Sequence, residues 1–124
     1  MDPNLADLVC DSVLDSCRNA MSSPTQRSKA LLESQGYRVE IVERYNSFVK
    51  RRFDLFGFID LLAIKPGETV GVQTTSYSNL SARVKKIAEH ENVGAVREAG
   101  WQILVHGWRK NSKGRWECVV RDVS

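Results

Sequence analysis

The stretch Phe56 to Ser76, FGFIDLLAIKPGETVGVQTTS, decides how the rest of the chain is arranged. Two runs rich in Phe, Ile, Leu and Val, Phe56 to Ile64 and Val70 to Thr75, flank the turn sequence KPGE, in which proline fixes φ and glycine accepts positive φ. We therefore predict a β-hairpin. Apolar residues on both sides of the first run are typical of a strand that is covered on both faces.

Three of the polar residues in this hairpin are expected on one face. A symmetric turn centred on Pro66 and Gly67 places Asp60 directly opposite Gln73, with Cβ atoms about 4.5–5.5 Å apart, and Thr75 on the same side. A lone aspartate in a covered strand is more often a buried carboxylate that backbone donors or an arginine satisfy. The alternative is a metal ligand at a catalytic edge, with the Gln73 amide and the Thr75 hydroxyl beside it.

The composition is that of a soluble globular protein. The 124 residues suffice for a single domain, 1–124, and a hydrophobic content of 42% with 27% charged residues is ordinary. No apolar run approaches the ~18 residues of a membrane span, and the acidic N-terminus lacks the pattern of a signal peptide. Three cysteines without metal-site spacing indicate free thiols in a reducing compartment, so we expect a cytoplasmic protein that does not contact membranes.

Charge and periodicity divide the domain into an N-terminal amphipathic helix, residues 1–23, and a body, residues 24–124. The helix carries four aspartates and one arginine, whereas the body carries 17 basic and 11 acidic residues. Apolar residues at helical spacing from Leu5 to Cys17 predict that the helix packs on the body or on a second copy of the chain, giving a homodimer. An acidic cover for a nucleic-acid groove is the less favoured alternative. The basic body favours a polyanionic partner.

The remaining segments predict alternating helices and strands. Ser23 and Pro24 start a helix that Gly36 ends. The other predicted elements are a strand over Tyr37–Arg44, a loop over Asn46–Phe53, a helix from Ser78 or Asn79 to His90, a helical turn over Asn92–Ala99, and a second hairpin made of Trp101–Trp108 and Arg115–Val123. The expected architecture is α/β, with one mixed β-sheet of about five strands and helices on both faces, plus the N-terminal helix.

Basic residues fall in three places where they can meet the phosphates of DNA. They are Lys50, Arg51 and Arg52 in the loop, Arg83, Lys85 and Lys86 on the helix after Gln73, and Arg109 and Lys110 at the tip of the second hairpin. We interpret the loop, with Phe48 and Phe53 on either side of its cations, as a phosphate-contacting arm, although a run of charge is usually only solvated. Trp108 and Trp116 beside the hairpin tip can stack on bases, but such pairs equally pack within a sheet.

The order helix–strand–strand–strand–helix–strand resembles the PD-(D/E)xK nuclease superfamily. The matching motif is DLLAI at residues 60–64, leading through a short turn to VQTT at residues 72–75. Small Holliday-junction resolvase-like and Mrr-like nucleases of phages and prokaryotes are the most similar in pattern. The resemblance covers roughly residues 24–110 and implies a restriction-endonuclease-like αβββαβ core.

The resemblance also implies a metal-dependent site, of which this chain keeps part of the usual chemistry. In that superfamily two strand acids bind a divalent metal, and a lysine orients or activates the attacking water. Asp60 matches the first acid, Gln73 replaces the second, and Thr75 replaces the lysine. A further acid, in the first helix, would fall near Gln26. Asp60 and Gln73 are then the expected ligands of Mg²⁺ or Mn²⁺, and they would hold it weakly because an amide carries no charge.

Other residues can supply the missing groups. Asp54, six residues before Asp60, and Glu43, near the end of the first strand, are acids that can replace the lost ligand. Positive charge in place of the lysine can come from the helix after Gln73, where Lys85 can also act as a base.

Three functions follow as hypotheses. The first is a divalent-metal-dependent endonuclease that hydrolyses phosphodiester bonds in DNA, including branched intermediates, with Asp60, Gln73, Thr75 and Lys85 as its catalytic residues. The second is an inactive nucleic-acid-binding protein that retains the nuclease fold, which the replaced motif positions favour. The third is a protein–protein module that assembles through residues 1–23. We rank the nuclease first because Asp60 lies opposite a residue that can bind metal.

Overall fold

The computed structural model describes residues 23–124, which form an α/β fold. The elements are α1 (Pro24–Ser34), β1 (Arg38–Ile41), β2 (Arg44–Asn46), β3 (Arg51–Phe53), β4 (Leu61–Lys65), β5 (Glu68–Ser76), α2 (Leu80–Ala88), α3 (Val93–Glu98), β6 (Gln102–Lys110) and β7 (Trp116–Asp122). A five-stranded sheet has the order β1-β4-β5-β6-β7, and β2 and β3 form a separate hairpin. Of the predicted amphipathic helix over residues 1–23, all but Ser23 lies outside the described residues.

The hairpin of β4 and β5 has the predicted register. Leu61 pairs with Val72 and Lys65 pairs with Glu68, so Pro66 and Gly67 form a two-residue turn in which Gly67 has a φ of +78°. β1 pairs with β4 and β7 with β6, both antiparallel, whereas β5 and β6 are parallel. The crossover between the parallel strands contains a single 3₁₀ turn, α2 and α3. The sheet is therefore mixed, as expected.

Helices cover both faces of the sheet, as predicted. On one face α1 packs Leu31 and Leu32 against strand residues that include Trp108, Cys118, Leu61, Ala63 and Val72. On the other face α2 and α3 pack Ile87, Val93 and Val96 against Ile103, Val105 and Val119. Burial of these apolar side chains is the main stabilising term of the fold. Strand β5, which carries Gln73, lies at the centre of the sheet between β4 and β6.

A buried polar network fixes α1 on the sheet. Trp108 Nε1 donates to Ser28 Oγ at 2.8 Å, and Ser28 Oγ lies 2.9 Å from His106 Nδ1. Burial lowers the pKa of His106 to about 4, so the ring is neutral, and its tautomer decides whether Nδ1 or the Ser28 hydroxyl donates. At the start of the same helix Ser23 Oγ accepts from the Gln26 backbone N–H at 3.2 Å. The N-terminal turn of α1 is thereby held beside β5.

Three predictions about local structure were wrong. The segment Asn46–Phe53 is not a loop, because its ends belong to the β2–β3 hairpin, and the predicted strand Tyr37–Arg44 is interrupted after Ile41. Residues 56–60 are not a strand either. Phe56 and Gly57 have φ values of +53° and +87°, which turn the chain sharply enough for Leu55 and Ile59 to bridge. The strand begins only at Leu61, and residues 37–123 do not form one continuous sheet.

Among residues 23–124, no helix is both long enough and apolar enough to cross a membrane.

Candidate functional site

Three carboxylates meet at one edge of the sheet. One carboxylate oxygen each from Glu43, Asp54 and Asp60 can be chosen so that all three lie within 4.8 Å of one another. Glu43 precedes β2 and Asp54 follows β3, and Arg44 pairs with Phe53 at the base of that hairpin. The β2–β3 register therefore brings Glu43 and Asp54 together, and the turn before β4 delivers Asp60 to them.

Hydrogen bonds fix the position of Asp60. Its backbone N–H donates to the Val72 carbonyl and its carbonyl accepts from the Val42 N–H, both at 2.9 Å. Its side-chain Oδ2 accepts from the Thr74 backbone N–H at 2.9 Å and from Thr74 Oγ1 at 3.3 Å. The Thr74 backbone N–H thus satisfies part of the hydrogen-bonding capacity of this carboxylate. This is the structural role that the sequence favoured for a lone aspartate in a covered strand. The same donors aim the carboxylate at the other two acids.

The carboxylate cluster is electrostatically strained. Burial raises the pKa of Asp60 to about 8, and the neighbouring Asp54 and Glu43 add to the rise, while the Thr74 N–H opposes it. Asp60 is only 5% exposed. Arg52 contributes a guanidinium 3.6 Å from a Glu43 oxygen, but this arginine is itself largely exposed. Without a cation, burial and the neighbouring acids therefore favour the protonated form of this cluster.

The N-terminal turn of α1 adds a hydroxyl to the cluster. Thr25 Oγ1 lies 3.3 Å from Glu43 Oε1, to which it can donate, and 3.0 Å from Thr74 Oγ1, so the two hydroxyl protons are shared among the contacts to Glu43, Asp60 and each other. The superfamily pattern placed the helix contribution near Gln26, but Gln26 is exposed and its neighbour Thr25 makes the contact. The Ser28 network that anchors α1 thus also positions Thr25.

A cavity of about 300 Å³ opens over the carboxylates. Its lining includes all three acids, Thr25, Thr74, Gln73, Arg52 and Arg83. Asp60 and Gln73 therefore lie at the same cavity, as the hairpin register predicted. Gln73 is 4% exposed, and its amide oxygen is an uncharged atom beside the carboxylates that can bind a metal ion.

A second cavity of about 240 Å³ shares part of this wall. Asp54, Gln73 and Arg83 line both cavities, and Lys86 and His90 line only the second. The Asn92 backbone N–H donates to His90 Nδ1 at 3.1 Å, so a neutral His90 carries its proton on Nε2. Arg83, Lys86 and His90 thus bring cations and a hydrogen-bond donor to a cavity that Asp54 also lines.

Several residues selected from the sequence lie outside both cavities. Thr75 is buried on β5 and does not line either cavity, and Lys85 is exposed on α2 and does not line them either. Lys50 and Arg51 are on the exposed part of the β2–β3 hairpin. Arg52, Arg83 and Lys86 are therefore the predicted DNA-binding residues that the fold places at the cavities.

The tip of the β6–β7 hairpin packs mainly on itself. Arg109 Nε donates to Glu117 Oε2 at 2.7 Å, and Lys110 Nζ lies 5.3 Å from the centre of the Trp116 ring. Arg27 covers the Trp116 ring at 3.7 Å, and Trp108 is buried. These tryptophans have the packing role that the sequence analysis gave as the alternative to base stacking.

No protein-family model matches the chain, and no curated protein matches it significantly. The function is therefore inferred from the residues at the carboxylate cluster and from the surface around it.

Proposed function

We propose that the protein is a divalent-metal-dependent DNA endonuclease of PD-(D/E)xK type. The observation that carries this proposal is the cluster of Glu43, Asp54 and Asp60 in a cavity whose wall also carries Arg52 and Arg83. Carboxylates converge in this way at structural sites too, but those normally have enough cations beside them to balance the charge. Here Arg52 pairs with Glu43 at 3.6 Å, and a cavity of about 300 Å³ adjoins all three acids, which leaves room for a bound cation.

The donor chemistry fits a hard divalent cation. Mg²⁺ and Mn²⁺ prefer carboxylate, carbonyl and water oxygens, and Glu43, Asp54 and Asp60 supply carboxylates within one site. Gln73 can add a neutral oxygen from the same cavity wall. The ligand set differs from the one that the sequence analysis proposed, because Asp54 and Glu43 join Asp60 and reduce the dependence on Gln73.

The chain's own residues suit phosphodiester hydrolysis. A bound divalent cation supplies Lewis acidity, which lowers the pKa of water and neutralises phosphate charge. The Thr74 N–H holds the Asp60 carboxylate in place, and Thr25 holds Glu43. Arg83, which lines both cavities, and Lys86, which lines the second, would hold the phosphate beside the acids. Because Thr75 does not line the cavities, it has no part in this proposal, and neither does Lys85.

Plasmid cleavage tests the proposal. Wild-type protein should nick or linearise supercoiled DNA with Mg²⁺ or Mn²⁺ and should be inert in EDTA, while Asp60→Asn and Asp54→Asn should each reduce cleavage at least 100-fold. Glu40→Gln is the matched control, since Glu40 is an exposed acid of β1 and does not line the cavity. Equal cleavage by Asp60→Asn and wild type would refute the assignment of the site.

An inactive DNA-binding protein is the second candidate. The observation that favours it is the absence of a lysine at the motif position, where Thr75 is buried away from the cavity. In that case the same plasmid assay shows no cleavage with any divalent metal. DNA binding in EDTA would persist and would be unchanged by Asp60→Asn.

A further inference from the structure

The β2–β3 hairpin, residues 44–53, exposes an unusual amount of apolar surface. Phe48 is 96% exposed, Tyr45 63%, Val49 54% and Phe53 45%. Scattered apolar residues are normal on a surface, but four of them within one short hairpin mark an interaction site. Elsewhere in the described residues Phe56, Ile64 and Tyr77 are 40–47% exposed, but they lie in three different parts of the chain.

The charge of the same hairpin identifies the partner as a polyanion. Arg44, Lys50, Arg51 and Arg52 are its four cations, and the segment contains no acidic residue. Aromatic rings alternating with cations suit single-stranded nucleic acid, because rings stack on bases and cations meet phosphates.

The hairpin is also continuous with the carboxylate site. Glu43 and Asp54 flank its base, and Arg52 reaches from β3 to within 3.6 Å of Glu43. The antiparallel pairing of Tyr45 with Arg52 puts these two side chains on one face, the face that approaches Glu43. A molecule lying along this face would therefore reach the cavity, so the hairpin and the site would share one ligand.

The tip is shaped before any ligand binds. Asn46 Oδ1 accepts from the backbone N–H of Phe48 at 2.9 Å and of Val49 at 3.4 Å, which closes the turn. Arg51 lies over the Phe53 ring at 5.1 Å on the opposite face from Arg52. Phe48 is thus presented outward by a constrained turn, and less ordering is required when it stacks.

We propose that this hairpin recognises DNA with unpaired bases, with Phe48 stacking on the first unpaired base where a duplex ends in single strands. Lys50 and Arg51 bind the adjoining phosphates, and Tyr45 and Arg52 guide the strand toward the carboxylates. This inference rests on the proposed nuclease function and names its substrate class. A fully paired duplex offers Phe48 no exposed base face, so binding to it depends on phosphate contacts alone.

The length of the hairpin limits where the cut falls. Phe48 and Asp54 are six positions apart in the chain. At about 3.3 Å per residue they span no more than about 20 Å, which corresponds to about six nucleotides at 3.4 Å each. Cleavage should therefore lie within about six nucleotides of the boundary between duplex and single strands.

Binding to a forked oligonucleotide tests the proposal. The fork carries 2-aminopurine as its first unpaired base, and the comparison is a fully paired duplex containing the same labelled strand, both in EDTA at low salt. Wild type should bind the fork about tenfold more tightly than the duplex and should quench the 2-aminopurine fluorescence. Phe48→Ala should abolish both the preference and the quenching while leaving duplex affinity unchanged. Phe48→Trp should retain both.

Val49→Ala is the matched control, because Val49 is exposed on the same turn but has no ring to stack. It should retain the preference for the fork. If wild type and Phe48→Ala have the same ratio of fork affinity to duplex affinity while plasmid cleavage persists, the inference about the substrate is overturned. The proposed nuclease function is then unaffected. Failure to bind either DNA would overturn the proposed function as well. A wild-type dimer in light scattering that Phe48→Ala converts to monomer would identify a second copy as the partner and would also overturn the inference.

Discussion

The pH dependence of stability offers a direct measurement of the carboxylate cluster. The pKa of Asp60 rises from an ordinary value near 3.8 to about 8 in the folded protein. Between these values the folded state holds a proton that the unfolded chain has lost, so the free energy of unfolding falls as pH rises. Raising the pH in EDTA should therefore destabilise the protein through Asp60.

At lower pH, His106 makes the free energy of unfolding rise with pH instead of fall. Its pKa falls from 6.5 to about 4 on folding, so its neutral form stabilises the protein fully above pH 6.5, and this contribution is lost as pH falls toward 4. Below pH 6.5, Asp60 and His106 contribute slopes of opposite sign to the free energy of unfolding plotted against pH. From pH 6.5 to about 8 the Asp60 slope remains without this opposition, and this window is the one to measure.

The expected effect in that window is large enough for thermal unfolding. One proton difference changes the free energy of unfolding by about 1.4 kcal/mol per pH unit, so 1.5 units give an upper bound of about 2 kcal/mol. For a domain of this size about 1 kcal/mol corresponds to about 4 °C, so Tm should fall by up to about 8 °C. The measurement is a series of thermal melts in EDTA followed by circular dichroism.

Two variants and added metal test whether Asp60 causes the fall in Tm between pH 6.5 and 8. Asp60→Asn should flatten the fall between pH 6.5 and 8, whereas Glu98→Gln, which removes an exposed acid of α3, should retain it. Adding Mn²⁺ should also flatten the fall, since metal binding displaces the proton from the carboxylate. A wild-type Tm that stays constant across this window in EDTA, or a fall that Asp60→Asn leaves intact, would refute the strained-cluster argument.

Three further changes test other parts of the molecule. Ser28→Ala leaves the buried Trp108 and His106 without their shared hydroxyl and should lower the free energy of unfolding by about 1–3 kcal/mol in urea titrations; a change within error would show that the network is dispensable. Replacing Arg51 with alanine should reduce the slope of log affinity against log salt by about one unit in DNA binding, and an unchanged slope would place this cation away from phosphate. Gln73→Glu adds a charge beside the acids and should increase the Tm gain from Mn²⁺ while lowering Tm in EDTA; the opposite pattern would remove Gln73 from the metal site.

The parts of the fold that local chemistry determines could be predicted from the sequence. The β4–β5 hairpin is one example, because Pro66 and Gly67 set the turn and the turn sets the register that opposes Leu61 to Val72. The start of α1 is another, since Ser23 accepts a hydrogen bond from the Gln26 backbone. These features depend on residues close together in the chain.

The segment before β4 could not be predicted in the same way. A run of apolar residues on both faces favoured a strand from Phe56, yet Phe56 itself has a positive φ, which is uncommon for an aromatic residue. Phe58 and Ile59 are both buried against α2 and α3, so tertiary packing overrides the local pattern. Gly71 permits this packing, because a Cβ there would lie 2.7 Å from Ile59 Cδ1.

The β2–β3 hairpin gave a weak sequence signal because all residues of both strands are exposed. Strand prediction depends on one face being apolar, and here neither face is buried. The available signal was Asn46, whose side chain closes the turn. Without the hairpin, Glu43 and Asp54 could be named as replacement acids but could not be placed beside Asp60.

This hairpin therefore links metal binding to DNA recognition in the proposed mechanism. Glu43 and Asp54 face each other at its base, where like charges oppose closure, and Arg52 offsets only part of that repulsion. A divalent cation between the acids would replace repulsion with attraction and would hold the base closed. The exposed tip, with Phe48 and its cations, is an extension of the same two strands. A cation in the cluster would therefore stabilise the DNA-binding element as well as the chemistry, so a protein without metal would lose order at the hairpin before losing its core.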